Sequence, residues 1–70
     1  MKYRRIAKKL RQLGCEEIPR RSGGSHRKWH NPATGSIVSI PDWGRKDLKL
    51  GTLRRIIRQL NLDWQDFLQT

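Results

Sequence analysis

Two turn sequences lie so close together that only a strand fits between them. Arg21-Ser22-Gly23-Gly24 comes before, and Asn31-Pro32-Ala33-Thr34-Gly35 after, the short run Ser-His-Arg-Lys-Trp-His at 25–30. Glycine supplies the backbone angles that tight turns need, while asparagine and proline start turns of their own. A helix so short has almost no stability, because its nucleus is costly and nothing propagates from it. An extended run between two tight turns must instead pair with the segments on either side, and short loops make those neighbours antiparallel. The flanking strands are then Cys-Glu-Glu-Ile-Pro-Arg at 15–20 and Ser-Ile-Val-Ser-Ile at 36–40, the latter rich in β-branched residues. Pro19 has no N–H to give a ladder, which places the first strand at an edge.

Helical periodicity appears on both sides of this block. In residues 2–13, Tyr3, Ile6, Ala7, Leu10 and Leu13 recur at intervals of three and four, a single apolar stripe. Lys2, Arg5, Lys8, Lys9 and Arg11 cover the remaining surface, and Gly14 is placed to end the helix. After an irregular loop at 41–51, residues 52–60 give a second stripe of Leu53, Ile56, Ile57 and Leu60, with Thr52 as N-cap and Asn61 as the stop. Asp63 then caps a short last helix whose Trp64, Phe67 and Leu68 pack back on the core. The expected fold is a two-layer α+β domain of order α-β-β-β-α-α. Its three-stranded antiparallel sheet carries helices on one face and leaves the other open.

With 70 residues and 34% apolar content, the chain is one domain, residues 1–70, with a thin core. Its single cysteine, Cys15, excludes an internal disulfide and a cysteine zinc site; among apolar neighbours it reads as a small core residue. The basic start has no apolar run of signal-peptide length, and no stretch reaches the roughly 20 apolar residues of a membrane span. A soluble cytoplasmic protein is expected, with no membrane partner. Sixteen Lys and Arg oppose six Asp and Glu, a net charge of +10, which attracts nucleic acid, an anionic membrane or an acidic protein without by itself saying which; nucleic acid is the partner expected first.

Strand alternation decides where the middle strand's side chains point. Trp29 most needs burial, so Arg27 and Trp29 lean toward the helices or the edge, and His26, Lys28 and His30 take the open face. Lys28 stands about 7 Å from His26 on that face, and His30 about 13 Å. The larger distance is too great for the two histidines to share one metal ion or act as one acid–base pair. The few carboxylates supply no third ligand, so no metal and no other cofactor is expected. For His26 two readings stay open. It is a surface histidine donating to a backbone carbonyl, or it is a general acid–base catalyst on RNA. Histidine titrates near neutrality and can take a proton from a ribose 2′-hydroxyl or return one to a leaving oxygen. Neighbouring cations would stabilise the charge added at the phosphate, and a 2′-hydroxyl nucleophile needs no metal.

Other residues also carry two readings. Ser25 can bond a phosphate or stabilise the turn built on Gly23 and Gly24. Arg54, Arg55 and Arg58 can track phosphates or form a solvated helix face. His30 reads as a surface residue. Trp43 can stack on a base but is expected, as a loop aromatic, to plug the end of the core. Trp64 is expected in the core.

The sequence resembles the HicA toxin family over nearly its whole length. The resemblance rests on Gly-Gly-Ser-His-Arg-Lys-Trp at 23–29, the strand end Ser-Ile-Pro at 39–41, and the segment from Gly44 to Leu68 that contains Asp-Leu-Lys-Leu-Gly-Thr-Leu-Arg-Arg-Ile-Ile-Arg-Gln-Leu. Gly-Ser-His alone is a weak signal; its order and spacing with the later segment are specific. The resemblance implies a fold like the double-stranded RNA-binding domain and an endoribonuclease that cuts messenger RNA and arrests growth. It implies a HicB-type antitoxin and makes His26 the active histidine. By their charge or polarity and their positions, and not by the resemblance, Ser25, Arg27, Lys28, Lys46, Lys49, Arg54, Arg55 and Arg58 are the candidates to bind RNA or support the transition state. One departure stands out. Many members carry a histidine shortly after the third-strand proline, where this chain has Pro41-Asp42-Trp43. A non-catalytic basic RNA-binding module is the alternative function.

Overall fold

A computed structural model describes residues 1–19 and 26–70. The elements run α1 (Tyr3–Gln12), β1 (Glu16–Glu17), β2 (His26–Asn31), β3 (Ser36–Pro41), α2 (Leu50–Gln59) and α3 (Trp64–Gln69). The strands form an antiparallel sheet in the order β1-β2-β3, with the helices layered on one face. This is the α+β arrangement expected from the sequence, like that of the double-stranded RNA-binding domain. The turn expected at residues 21–24 and the adjoining Ser25 lie outside the described residues.

The apolar stripes behave as their spacing dictates. Tyr3, Ile6, Ala7 and Leu10 of α1 are buried together with Leu53, Ile56 and Ile57 of α2 and with Leu60 just beyond it. They meet Trp29, Val38 and Ile40 of the sheet and Phe67 of α3. Gly14, at φ +91°, ends α1 in the left-handed region, and Asn61, at φ +57°, does the same after α2. Asp63 caps α3, its carboxylate accepting the Asp66 N–H at 3.0 Å. Buried Asn31 ties the end of β2 to the end of α2, donating to the Leu60 carbonyl at 2.8 Å while accepting the Ala33 N–H at 3.1 Å.

Five expectations need correction. β1 is only Glu16–Glu17, although one further bond, from the Ile18 N–H to the Lys28 carbonyl, carries the pairing on. Thr52 is not an N-cap, because α2 begins two residues earlier with Lys49 at the cap position. The chain is pinned just upstream by an isolated bridge between Lys2 and Asp47 and by the Leu48 N–H bonding to the Met1 carbonyl, and the helix starts where that constraint ends. Lys9 is buried, and its ammonium donates to the Phe67 and Leu68 carbonyls at 3.0 and 3.2 Å. It thus serves the carbonyl end of α3, where a cation is favoured. Leu68 is exposed instead of packed. Trp43 is no plug: it is 49% exposed, while Leu48 from the same loop is buried in the core. Trp64 is half-buried against the core and stacks on Phe67 with ring centroids 5.6 Å apart.

Candidate active site

β2 presents two different chemistries on its two faces. His26 and Lys28 are exposed and His30 is half-buried on the open side, while Trp29 and Asn31 are buried toward the helices. The pairing register completes the open face. Pro41 lies opposite His26, Ser39 opposite Lys28, and Ile37 opposite His30, with Glu16 of β1 on the other side of His30. Residues directly opposite share a face, so His26 stands beside the point where β3 ends and the 42–49 loop begins. Among the described residues, neither His26 nor Lys28 has a side-chain hydrogen bond or ion pair. Both are therefore presented to solvent at the corner of an uncovered sheet.

Arg27 has a different duty from the one expected of it. Its guanidinium donates to Glu17 at 3.0 Å and to Asp42 at 2.9 Å and lies over the Tyr3 ring, 5.4 Å from the ring centre. Two carboxylates already neutralise it, and it faces away from His26. The same cluster reaches the core. The Trp29 indole donates to the Tyr3 hydroxyl at 3.1 Å, and that hydroxyl donates weakly to Glu17 at 3.5 Å. Burial, the main cause, pushes the Tyr3 hydroxyl above its ordinary pKa, so it remains a neutral donor. Arg27 thus anchors β1, β2 and the chain after β3 to one another, and a phosphate would have to compete with two carboxylates for it.

The remaining candidates fall into three groups. Lys46 is exposed in the loop that follows β3 and lines a hollow with Trp43. Lys49 is exposed at the start of α2. Arg54, Arg55 and Arg58 stand on the solvent side of α2, where they line a groove with Trp64, and Arg54 lies 5.3 Å from the centre of that ring. Since α2 packs on the covered face of the sheet, these three arginines are separated from His26 by the sheet itself. Gly23, Gly24 and Ser25 lie outside the described residues. Cys15 is buried, and burial raises its thiol pKa, which suits a core residue and not a nucleophile.

Sequence reasoning missed the open-face partners from β3 and the role of Asp42. Ile37 is 52% exposed although apolar, and the adjacent β-branched pair Ile37-Val38 gives no strict alternation from which to read its direction. Asp42 receives Arg27 through its Oδ2 and the Gly44 N–H through its Oδ1, a pairing that only the strand register reveals.

The sheet order, the histidine corner and the loop–helix segment together occupy the region matched by a known family. The family model described as HicA toxin of bacterial toxin-antitoxin matches residues 3–62. No curated protein and no solved structure matches the chain. Among the described residues no helix is long and apolar enough to cross a membrane. With the family match running from the first helix to just past the second, this chain belongs to the HicA toxin family of bacterial toxin–antitoxin systems.

Proposed function

We infer that this toxin is an endoribonuclease that cuts messenger RNA in the cytoplasm through His26. The observation that carries the reading is an exposed histidine at the start of β2, on the uncovered face, with Lys28 on the same side, in a chain of this family. In the reaction the ribose 2′-oxygen attacks the adjacent phosphorus while the 5′-oxygen departs. His26 takes the 2′-hydroxyl proton, and the His26 imidazolium so formed returns that proton to the leaving oxygen. The products are a 2′,3′-cyclic phosphate and a 5′-hydroxyl. Lys28 stabilises the extra negative charge on the phosphoryl oxygens during the transfer. Lys46 and Lys49 guide the flanking phosphates, and the +10 net charge draws RNA to the protein.

A HicB-type antitoxin of acidic character would neutralise the toxin by covering the open face around His26 and Lys28 and the loop at Lys46 and Lys49. Opposite charge makes capture fast, and binding to the folded form stabilises a small domain. A complex that still cleaved RNA at the free rate would contradict this mode.

The test is incubation of the purified protein with a long RNA in the presence of EDTA, followed by analysis of the product ends. Cleavage that leaves cyclic phosphate and 5′-hydroxyl ends is expected. Recovery of 5′-phosphate ends, or complete loss of cleavage in EDTA, would transfer the chemistry to a metal-activated water. A non-catalytic RNA-binding module is the second reading, since the chain has Pro41-Asp42-Trp43 where the family resemblance implies a second histidine. Binding without cleavage would be its signature.

A further inference from the structure

We propose that Trp43 is a base-stacking platform, which holds the unpaired nucleobase next to the phosphate at His26 and so restricts the site to single-stranded RNA. The proposal rests on the RNA reading given above and assigns a specificity role to a residue that reading leaves unused.

The three tryptophans of this chain have different surroundings. Trp29 is fully buried and hydrogen-bonded to Tyr3. Trp64 is half-buried, stacked on Phe67 and covered by Arg54. Trp43 is 49% exposed and, among the described residues, has neither an aromatic nor a cationic partner on its ring. A chain with so thin a core leaves a large apolar ring in water here while burying Leu48 from the same loop.

The backbone on both sides of Trp43 is fixed. The Asp42 carboxylate is held by Arg27 at 2.9 Å and receives the Gly44 N–H at 3.2 Å. Gly44 adopts φ +62°, and the Trp43 carbonyl accepts the Lys46 N–H at 3.3 Å. A ring on a pinned backbone loses little further freedom when it binds, which is what makes an aromatic an effective platform. Its place follows from where the strand pairing ends. Pro41 lies directly opposite His26, and Trp43 follows two residues later.

The surroundings favour a nucleotide over a protein surface. Gly44, Arg45 and Lys46 beside Trp43 are all exposed, and Lys46 shares its hollow, so a cation for phosphate lies next to a ring for a base. That combination is how single strands are bound: a charged track holds the backbone while bases stack on aromatic faces. Bases inside a duplex are already stacked on each other and offer no face. Recognition of single-stranded RNA depends on splayed bases of this kind. A tryptophan exposed at this position therefore selects unpaired RNA.

The experiment measures binding of a short 2′-O-methyl oligonucleotide, which lacks the nucleophile, to wild type and to Trp43→Ala, Trp43→Leu and Trp43→Phe. Thermal melting and tryptophan fluorescence are recorded for each protein. Loss of one base–aromatic stack predicts affinity about 5- to 150-fold weaker for Trp43→Ala. Trp43→Leu should be equally weak, because it keeps apolar bulk without a ring face, and Trp43→Phe should stay close to wild type. An oligonucleotide with an abasic site should bind wild type more weakly than its parent and Trp43→Ala no more weakly. Unchanged affinity in Trp43→Ala, or full affinity in Trp43→Leu, overturns the proposal. So does RNA binding that persists while affinity for an antitoxin falls, since that assigns the ring to the protein partner. Should the Ala and Leu variants melt early, the fluorescence decides: quenching by RNA that disappears in Trp43→Phe supports stacking, and quenching that persists overturns it. If wild type binds no oligonucleotide, the RNA reading itself falls; binding that ignores Trp43 removes only this inference.

Discussion

The two faces of β2 differ more than any two elements of the molecule. On the covered face Trp29 and Asn31 are buried, and half-buried Arg27 is paired with two carboxylates. On the open face His26 and Lys28 stand in solvent beside Ser39 and Pro41. Six consecutive residues thus alternate between holding the domain together and facing solvent on the open side. A strand makes this separation possible because neighbouring side chains point in opposite directions. A residue's position along the strand, odd or even, decides whether its loss should appear in stability or in function.

The strongest break on the covered side is Trp29→Ala. Removing a fully buried aromatic side chain costs about 3–5 kcal/mol, close to the whole stability of a domain this small. Urea denaturation should show a largely unfolded population without denaturant; a protein that kept its cooperative transition near the wild-type midpoint would deny Trp29 its central role. Asn31→Ala should be gentler, about 1–3 kcal/mol, because it leaves the buried Leu60 carbonyl without its donor. The same denaturation curves measure it, and the change should appear in the midpoint without a change in slope.

Lys28→Ala sharpens the comparison from the other side. Stability should stay within about 0.5 kcal/mol of wild type, as for most surface substitutions. RNA binding should weaken, and the dependence of log affinity on log salt should flatten by roughly 0.7, the value for one phosphate neutralised on a single strand. An unchanged salt slope would show that Lys28 does not meet a phosphate. His30→Ala should have the smallest effect of the series on cleavage, since it lies about 13 Å along the strand from His26. Cleavage rates at saturating RNA provide the check, and a loss as deep as that of His26→Ala would move the reacting centre toward the Glu16–His30–Ile37 row.

Much of this architecture is legible in the residues. The stripe from Tyr3 to Leu10 announces α1 because its spacing fits only a helix with one buried side. The direction of β2 follows from Trp29, a large ring that a thin core has to cover. β3 is legible as a strand but not in orientation, since Ile37, Val38 and Ile40 offer no polar alternation. Lys9 reads as a surface charge because nothing local reveals that the end of α3 will lie against α1 and offer it carbonyls. Arg27 reads as a phosphate ligand for a similar reason: Glu17 and Asp42 are far apart in sequence, and only the sheet brings them to it. Trp43 runs against ordinary burial preference, and such departures are expected at functional positions. The chemistry of His26 is legible only in part. Its exposure follows from alternation, whereas its selection as catalyst comes from the family resemblance.

The measurement that tests the central claim most directly is His26→Ala, assayed for RNA cleavage, RNA binding and thermal melting in the same preparation. Loss of a general acid–base should lower the cleavage rate by about 10² to 10⁴. The melting temperature should hold, because the exposed side chain buries little, and RNA affinity should barely change, because phosphate contacts carry most of it. A folded His26→Ala protein that cleaves RNA at the wild-type rate would contradict the assignment. An unfolded one would return His26 to a structural role and dissolve the separation between the two faces of β2.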